Sequence, residues 1–231
     1  MILQPKRCSL FCGHYGSGKT NLAVNYARRL RQTFGRSTVI ADLDIVNPYF
    51  RTADSRGELE RDGVTVLTLP FARSNVDLPA LPSEAYSLVQ DRSRFTVWDI
   101  GGDDRGAYAL GRFVPALREE GDFDLFFVVN FYRPLTRTPE ACAEVLSEIE
   151  GACGLSFTGI LNNSNLGAET TADAVLRTVP LAGALSERTG LPVVFTSAEE
   201  SVARSLPDSV GPLFPLRLQK RPTDPDYRFE P

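Results

Sequence analysis

The sequence predicts an open, mainly parallel α/β sheet with helices on both faces. Three observations carry that expectation. Short apolar runs alternate with stretches of helical periodicity along nearly the whole chain. The run Asp124-Leu-Phe-Phe-Val-Val-Asn130 is apolar without alternation, as a strand covered on both faces reads. No internal repeat, low-complexity tract or linker interrupts the series. A chain of 231 residues suits one large domain. Residues 1–220 are assigned to it, and 221–231, with three prolines among charges, to a loosely held tail.

The elements follow in order. Cys8–Cys12 reads as a buried strand, and a helix runs from about Lys19 to Phe34 with Leu22, Tyr26 and Leu30 at helical spacing. Gly35 ends that helix. A strand over 38–42 leads into an irregular acidic turn, and a strand over 64–69 leads into a polar surface loop over 71–82. A short helix over 84–90 precedes a strand over 95–99. Next comes a helix from Ala107 to about Arg118, kinked at Pro115. After the strand at 124–130 come helix 139–149, strand 157–161, helix 171–188, strand 192–195 and an edge strand within 213–218.

Lys plus Arg number 25 against 29 Asp plus Glu, a net charge of -4. Such a chain exerts no long-range pull on nucleic acid or anionic lipid, and no local basic patch stands out. Neither partner is expected. The longest apolar run, 125–129, is far short of a membrane span, and the first residues reach a strand too soon for a signal peptide. Cys8, Cys12, Cys142 and Cys153 make no metal-ligand spacing, and His14 is the only histidine. Reduced, mostly buried thiols in a cytoplasmic protein are the expectation.

The chemistry concentrates at the carboxyl ends of the strands, where open sheets bind ligands. Gly13-His14-Tyr15-Gly16-Ser17-Gly18-Lys19-Thr20 fits G-x-x-x-x-G-K-[ST] between a strand and a helix. Glycines let the backbone curl so that N–H groups point inward, and the helix start adds partial positive charge. Lys19 is expected on phosphate oxygens and Thr20 on Mg²⁺, with Asn21 beside the bound nucleotide. Asp99, at the end of the 95–99 strand, is expected to hold Mg²⁺, and Gly102 to bring a backbone N–H near the terminal phosphate. In Asp42-Leu-Asp44, one carboxylate supports Mg²⁺ and the other orients an attacking water. In Gly159-Ile-Leu-Asn162-Asn-Ser-Asn165, an amide can both donate to and accept from a base edge, and no Asn-Lys-x-Asp string occurs, which favours adenine over guanine. Arg133 and Arg137 read as a surface turn before a helix start at Thr138-Pro139, in preference to a charge aimed at the phosphates.

These residues resemble the SIMIBI class of P-loop proteins, and within it the ParA/MinD/CobB-like ATPases. The likeness runs through loop 13–20, Asp42-Leu-Asp44, Asp99 with its glycines, and Asn162. It implies a three-layer parallel sheet of about seven or eight strands, with ATP and Mg²⁺ as cofactors. It also implies a hydrolytic role for Asp44, an adenine-reading role for Asn162, and a homodimer. The signature lysine that reaches across the dimer in ParA and MinD is replaced here by His14. The favoured reading is a slow ATPase working as a nucleotide-driven switch on a protein partner. The alternative is an ATP-dependent kinase or ligase for a small-molecule acceptor, of the dethiobiotin or cobyrinate synthetase type, with loop 70–82 helping to form its pocket. A GTP-dependent metallochaperone is least favoured, because no His or Cys cluster is present to hold a metal.

Overall fold

The computed structural model describes residues 4–43, 55–68, 83–102 and 104–219. Asp44, Asp103, loop 71–82 and tail 221–231 lie outside the described residues. Eight strands form one sheet: β1 (Cys8–Cys12), β2 (Thr38–Leu43), β3 (Val64–Thr68), β4 (Phe95–Ile100), β5 (Phe123–Val129), β6 (Gly159–Asn162), β7 (Val193–Glu199) and β8 (Leu213–Leu216). Their order is β3-β2-β4-β1-β5-β6-β7-β8, with every pairing parallel. The expected open parallel sheet is therefore present. Its order reverses at β1, which opens the crevice in which such sheets hold ligands.

The helices are α1 (Lys19–Phe34), α2 (Arg56–Arg61), α3 (Ser83–Gln90), α4 (Asp104–Gly111), α5 (Val114–Glu120), α6 (Pro139–Cys153), α7 (Ala172–Thr189) and α8 (Glu200–Ala203). Two core layers sandwich the sheet. On one side α1 buries Leu22, Ala23, Tyr26, Ala27 and Leu30 against Phe11, Ile40, Val97, Phe126 and Leu161. On the other, Trp98, Phe113, Phe127, Cys142 and Leu185 pack together, with the Trp98 and Phe113 rings edge to face at 4.8 Å. Strand alternation decides which residue meets which layer.

Several boundaries differ from the sequence expectation, each for a local reason. The helix predicted over 107–118 is two helices, and Pro115 lies in the first turn of α5 rather than at a kink. A proline has no N–H to leave unsatisfied there, so it starts a helix more readily than it bends one. Helix α2 stands within the stretch read as an irregular turn, where only Leu59 is buried to announce it. Strand β7 runs on to Glu199, and β8 is an edge strand that accommodates Pro215. At the start of α6, the Thr138 hydroxyl accepts from Ala141 N as an N-cap. All four cysteines are free and buried.

Candidate functional site

The loop after β1 curls back on itself at the start of α1, where the Ser17 N–H donates to the His14 carbonyl at 3.2 Å. Gly18, at φ 85°, takes the left-handed conformation that lets the loop turn into the helix. Lys19 is 5% exposed, and its ammonium donates to the His14 carbonyl at 3.3 Å. Its other two donors have no acceptor among the described residues. The adjoining Cys12 thiol is pushed up to about 12 by burial, so it carries no charge to neutralise the lysine. Ser17 is 1% exposed, and its hydroxyl has no hydrogen-bond partner among the described residues. A buried cation with spare donors beside an unsatisfied hydroxyl fits an anion.

The other strand ends close around this cradle. A Cβ added to Gly102 would lie 2.7 Å from Lys19 Nζ, 2.7 Å from Tyr15 N and 2.8 Å from the Gly13 carbonyl. Only a glycine lets the chain after β4 approach the loop so closely. Asp42 and Asp99 are register partners on β2 and β4, both buried. Alternation places them with Ile40 and Val97 on the face that α1 covers, the face of buried Thr20. Two carboxylates and a hydroxyl make the oxygen-only donor set that suits Mg²⁺.

The structure separates the remaining expected residues. Asn162 is fully buried on the α7 face: its amide donates to Thr178 Oγ1 at 3.1 Å and accepts from Ser164 Oγ at 2.7 Å. With both ends of the amide engaged inside the core, it presents no edge to a base. Its neighbour Asn163 reaches the loop instead, donating from Nδ2 to the Ser17 carbonyl at 2.7 Å while its Oδ1 accepts from Ser197 Oγ at 2.7 Å. Asn21 faces away from the cradle toward the segment after β8, where its Oδ1 accepts from Gln219 N at 3.0 Å. His14 is half-buried and Tyr15 is 59% exposed at the open side of the loop. Arg133, read as a turn residue, donates from Nε to the Gly16 carbonyl at 2.9 Å.

No family model matches the chain, and no curated protein matches it. Solved structures do. The cell division protein FtsY of Thermotoga maritima superposes with a TM-score of 0.60 at 19% identity, over 85% of this chain and 63% of that one. Two crystal forms of FtsY from Mycoplasma mycoides give 0.51 and 0.50 at 13% identity, over 83% and 85% of this chain and 59% and 62% of theirs. The chain thus spans less than two thirds of the length of these neighbours. The likeness is one of fold: an open parallel sheet of eight strands with helices around it, consistent with the three-layer α/β P-loop NTPase fold.

Proposed function

We propose that the protein is a Mg²⁺-dependent nucleoside triphosphatase of slow turnover that serves as a nucleotide-driven switch. The observation that carries this is Lys19: a buried ammonium with spare donors inside a glycine loop at a helix start, beside the orphaned Ser17 hydroxyl. In this reading the cradle and Lys19 hold the phosphate tail, and Gly102 N–H reports the terminal phosphate. Asp44 orients the attacking water. Asp42, Asp99 and Thr20 would hold Mg²⁺, which supplies neutralising charge on the phosphates when bound.

ATP is the proposed triphosphate, because the segment 163–167 after β6 carries no carboxylate to accept from guanine. GTP is the second reading, supported by kinship of fold with FtsY-type GTPases. Phosphate release from ATP and GTP, each with and without Mg²⁺, separates them: the reading expects Mg²⁺-dependent turnover of ATP in preference to GTP. Asp44→Ala should keep binding and lose hydrolysis. Unchanged hydrolysis in that variant would remove Asp44 from the chemistry, and turnover that rises strongly with one added metabolite would turn the reading toward a kinase or ligase.

A further inference from the structure

The phosphate loop is soft by composition. Gly13, Gly16 and Gly18 sit at φ of 149°, 77° and 85°, and no bulky side chain between Gly16 and Gly18 packs to hold the curl. Inside the loop the Ser17 N–H donates to the His14 carbonyl at 3.2 Å, and two further loop carbonyls are held from outside. The Ser17 carbonyl is held by buried Asn163. The carbonyl before it, Gly16, is held by Arg133, a residue 117 positions further along the chain.

The backbone that carries Arg133 is well anchored, while its side chain is exposed. Its N–H donates to the Asn130 carbonyl at 3.1 Å, and its own carbonyl accepts from Thr136 N at 3.1 Å. Asn130 is fully buried, and its Oδ1 accepts from Tyr132 N at 3.0 Å while Thr136 Oγ1 donates to its carbonyl at 2.7 Å. The guanidinium lies so close that a Cβ on Gly16 would be 3.2 Å from Nε. Its two terminal nitrogens make no hydrogen bond among the described residues and keep their N–H groups at the exposed side of the loop.

We propose that Arg133 is a positioning residue for the phosphate cradle. Through Nε it fixes the Gly16–Ser17 peptide, whose N–H closes the loop onto the His14 carbonyl at 3.2 Å, and it sets a permanent positive charge beside the cradle. An ordinary surface arginine would spread all its donors into water; this one places Nε on the Gly16 carbonyl and leaves only its terminal nitrogens toward solvent. The inference rests on the nucleotide reading above, but the clamp acts in the nucleotide-free protein too.

The test uses Arg133→Ala and Arg133→Lys in the full chain. Amide hydrogen exchange without nucleotide, and KM and kcat for Mg²⁺-triphosphate, are measured beside the unfolding midpoint. Arg133→Ala should speed exchange at Ser17 about tenfold and raise KM about tenfold, the loss of one charge-assisted hydrogen bond, with kcat and the midpoint little changed. Arg133→Lys keeps the charge without the planar Nε donor, so its exchange should stay fast. Exchange and KM both within about twofold of wild type in Arg133→Ala would overturn the inference. A wild-type protein that binds no nucleotide would instead defeat the proposed function, and the exchange arm would still decide the clamp.

Discussion

The two ends of β1 each carry a buried cation, and they could hardly be treated more differently. Before the strand, Arg7 is 3% exposed with all its nitrogens engaged: Nε donates to Glu120 at 2.5 Å, Nη1 to the Leu88 and Asp91 carbonyls, and Nη2 to the Val89 carbonyl. Glu120 also accepts from Arg92 at 2.9 Å. After the strand, Lys19 is almost as deeply buried yet has a single acceptor, and Ser17 Oγ beside it has none among the described residues. A buried charge is tolerated when its hydrogen bonds are complete or when a ligand completes them. The Arg7 end is complete without a ligand and acts as a bolt between β1, α3 and α5; the Lys19 end is incomplete among the described residues, which is what the proposed anion site requires.

That contrast can be broken in opposite ways. Lys19→Ala should weaken triphosphate binding by about 100-fold or more, because a charged donor to several phosphate oxygens is lost. The unfolding midpoint should stay where it is, as seen by calorimetry with and without nucleotide. Glu120→Gln should do the reverse. It strands the buried Arg7 guanidinium and should cost about 3 kcal/mol of stability in denaturant titration, while nucleotide affinity is unchanged. A loss of stability in Lys19→Ala comparable to that in Glu120→Gln would erase the distinction.

A smaller effect sharpens it. Burial alone would push the Glu120 carboxyl up, but the Arg7 and Arg92 guanidiniums together hold it below its ordinary range. A carboxyl lowered by folding contributes stability that is fully present above its unfolded value and is lost as pH falls through its folded value. The wild-type protein should therefore lose stability below about pH 4.5, and Glu120→Gln should show a shallower slope there. Urea midpoints measured across that range test it; parallel slopes would contradict it.

Much of this was legible in the sequence, and the rest was hidden for separate local reasons. The strand-loop-helix setting of Gly13–Thr20 announced the cradle, and the acids ending β2 and β4 fall in register on the α1 face. The sequence pointed to Asn162 as the amide at the site, one residue before the one that reaches the loop. A sheet covered on both faces has no polar-apolar alternation from which to read side-chain parity, and a slip of one residue changes the face. The parity was recoverable only by counting back from Asn163 to Leu161, which packs on the α1 layer. Arg133 was read as a turn residue in preference to a charge at the phosphates, because its partner is a backbone carbonyl, which leaves no mark in a sequence. Asn21 followed the loop lysine in order but lies on the side of α1 that holds the segment after β8. Glu120 and Arg7 are 113 positions apart, so their pairing could not be read from spacing.

The central claim is that the loop after β1 is an anion cradle waiting for a metal-bound polyphosphate. The most direct measurement is equilibrium unfolding of the wild-type protein with saturating Mg²⁺-ATP and, separately, Mg²⁺-GTP. At about 100 times the dissociation constant, one of them should add about 2.7 kcal/mol of stability, and the same nucleotide concentration should add no more than about 0.4 kcal/mol to Lys19→Ala. Equal stability with and without either nucleotide in the wild-type protein would contradict the account.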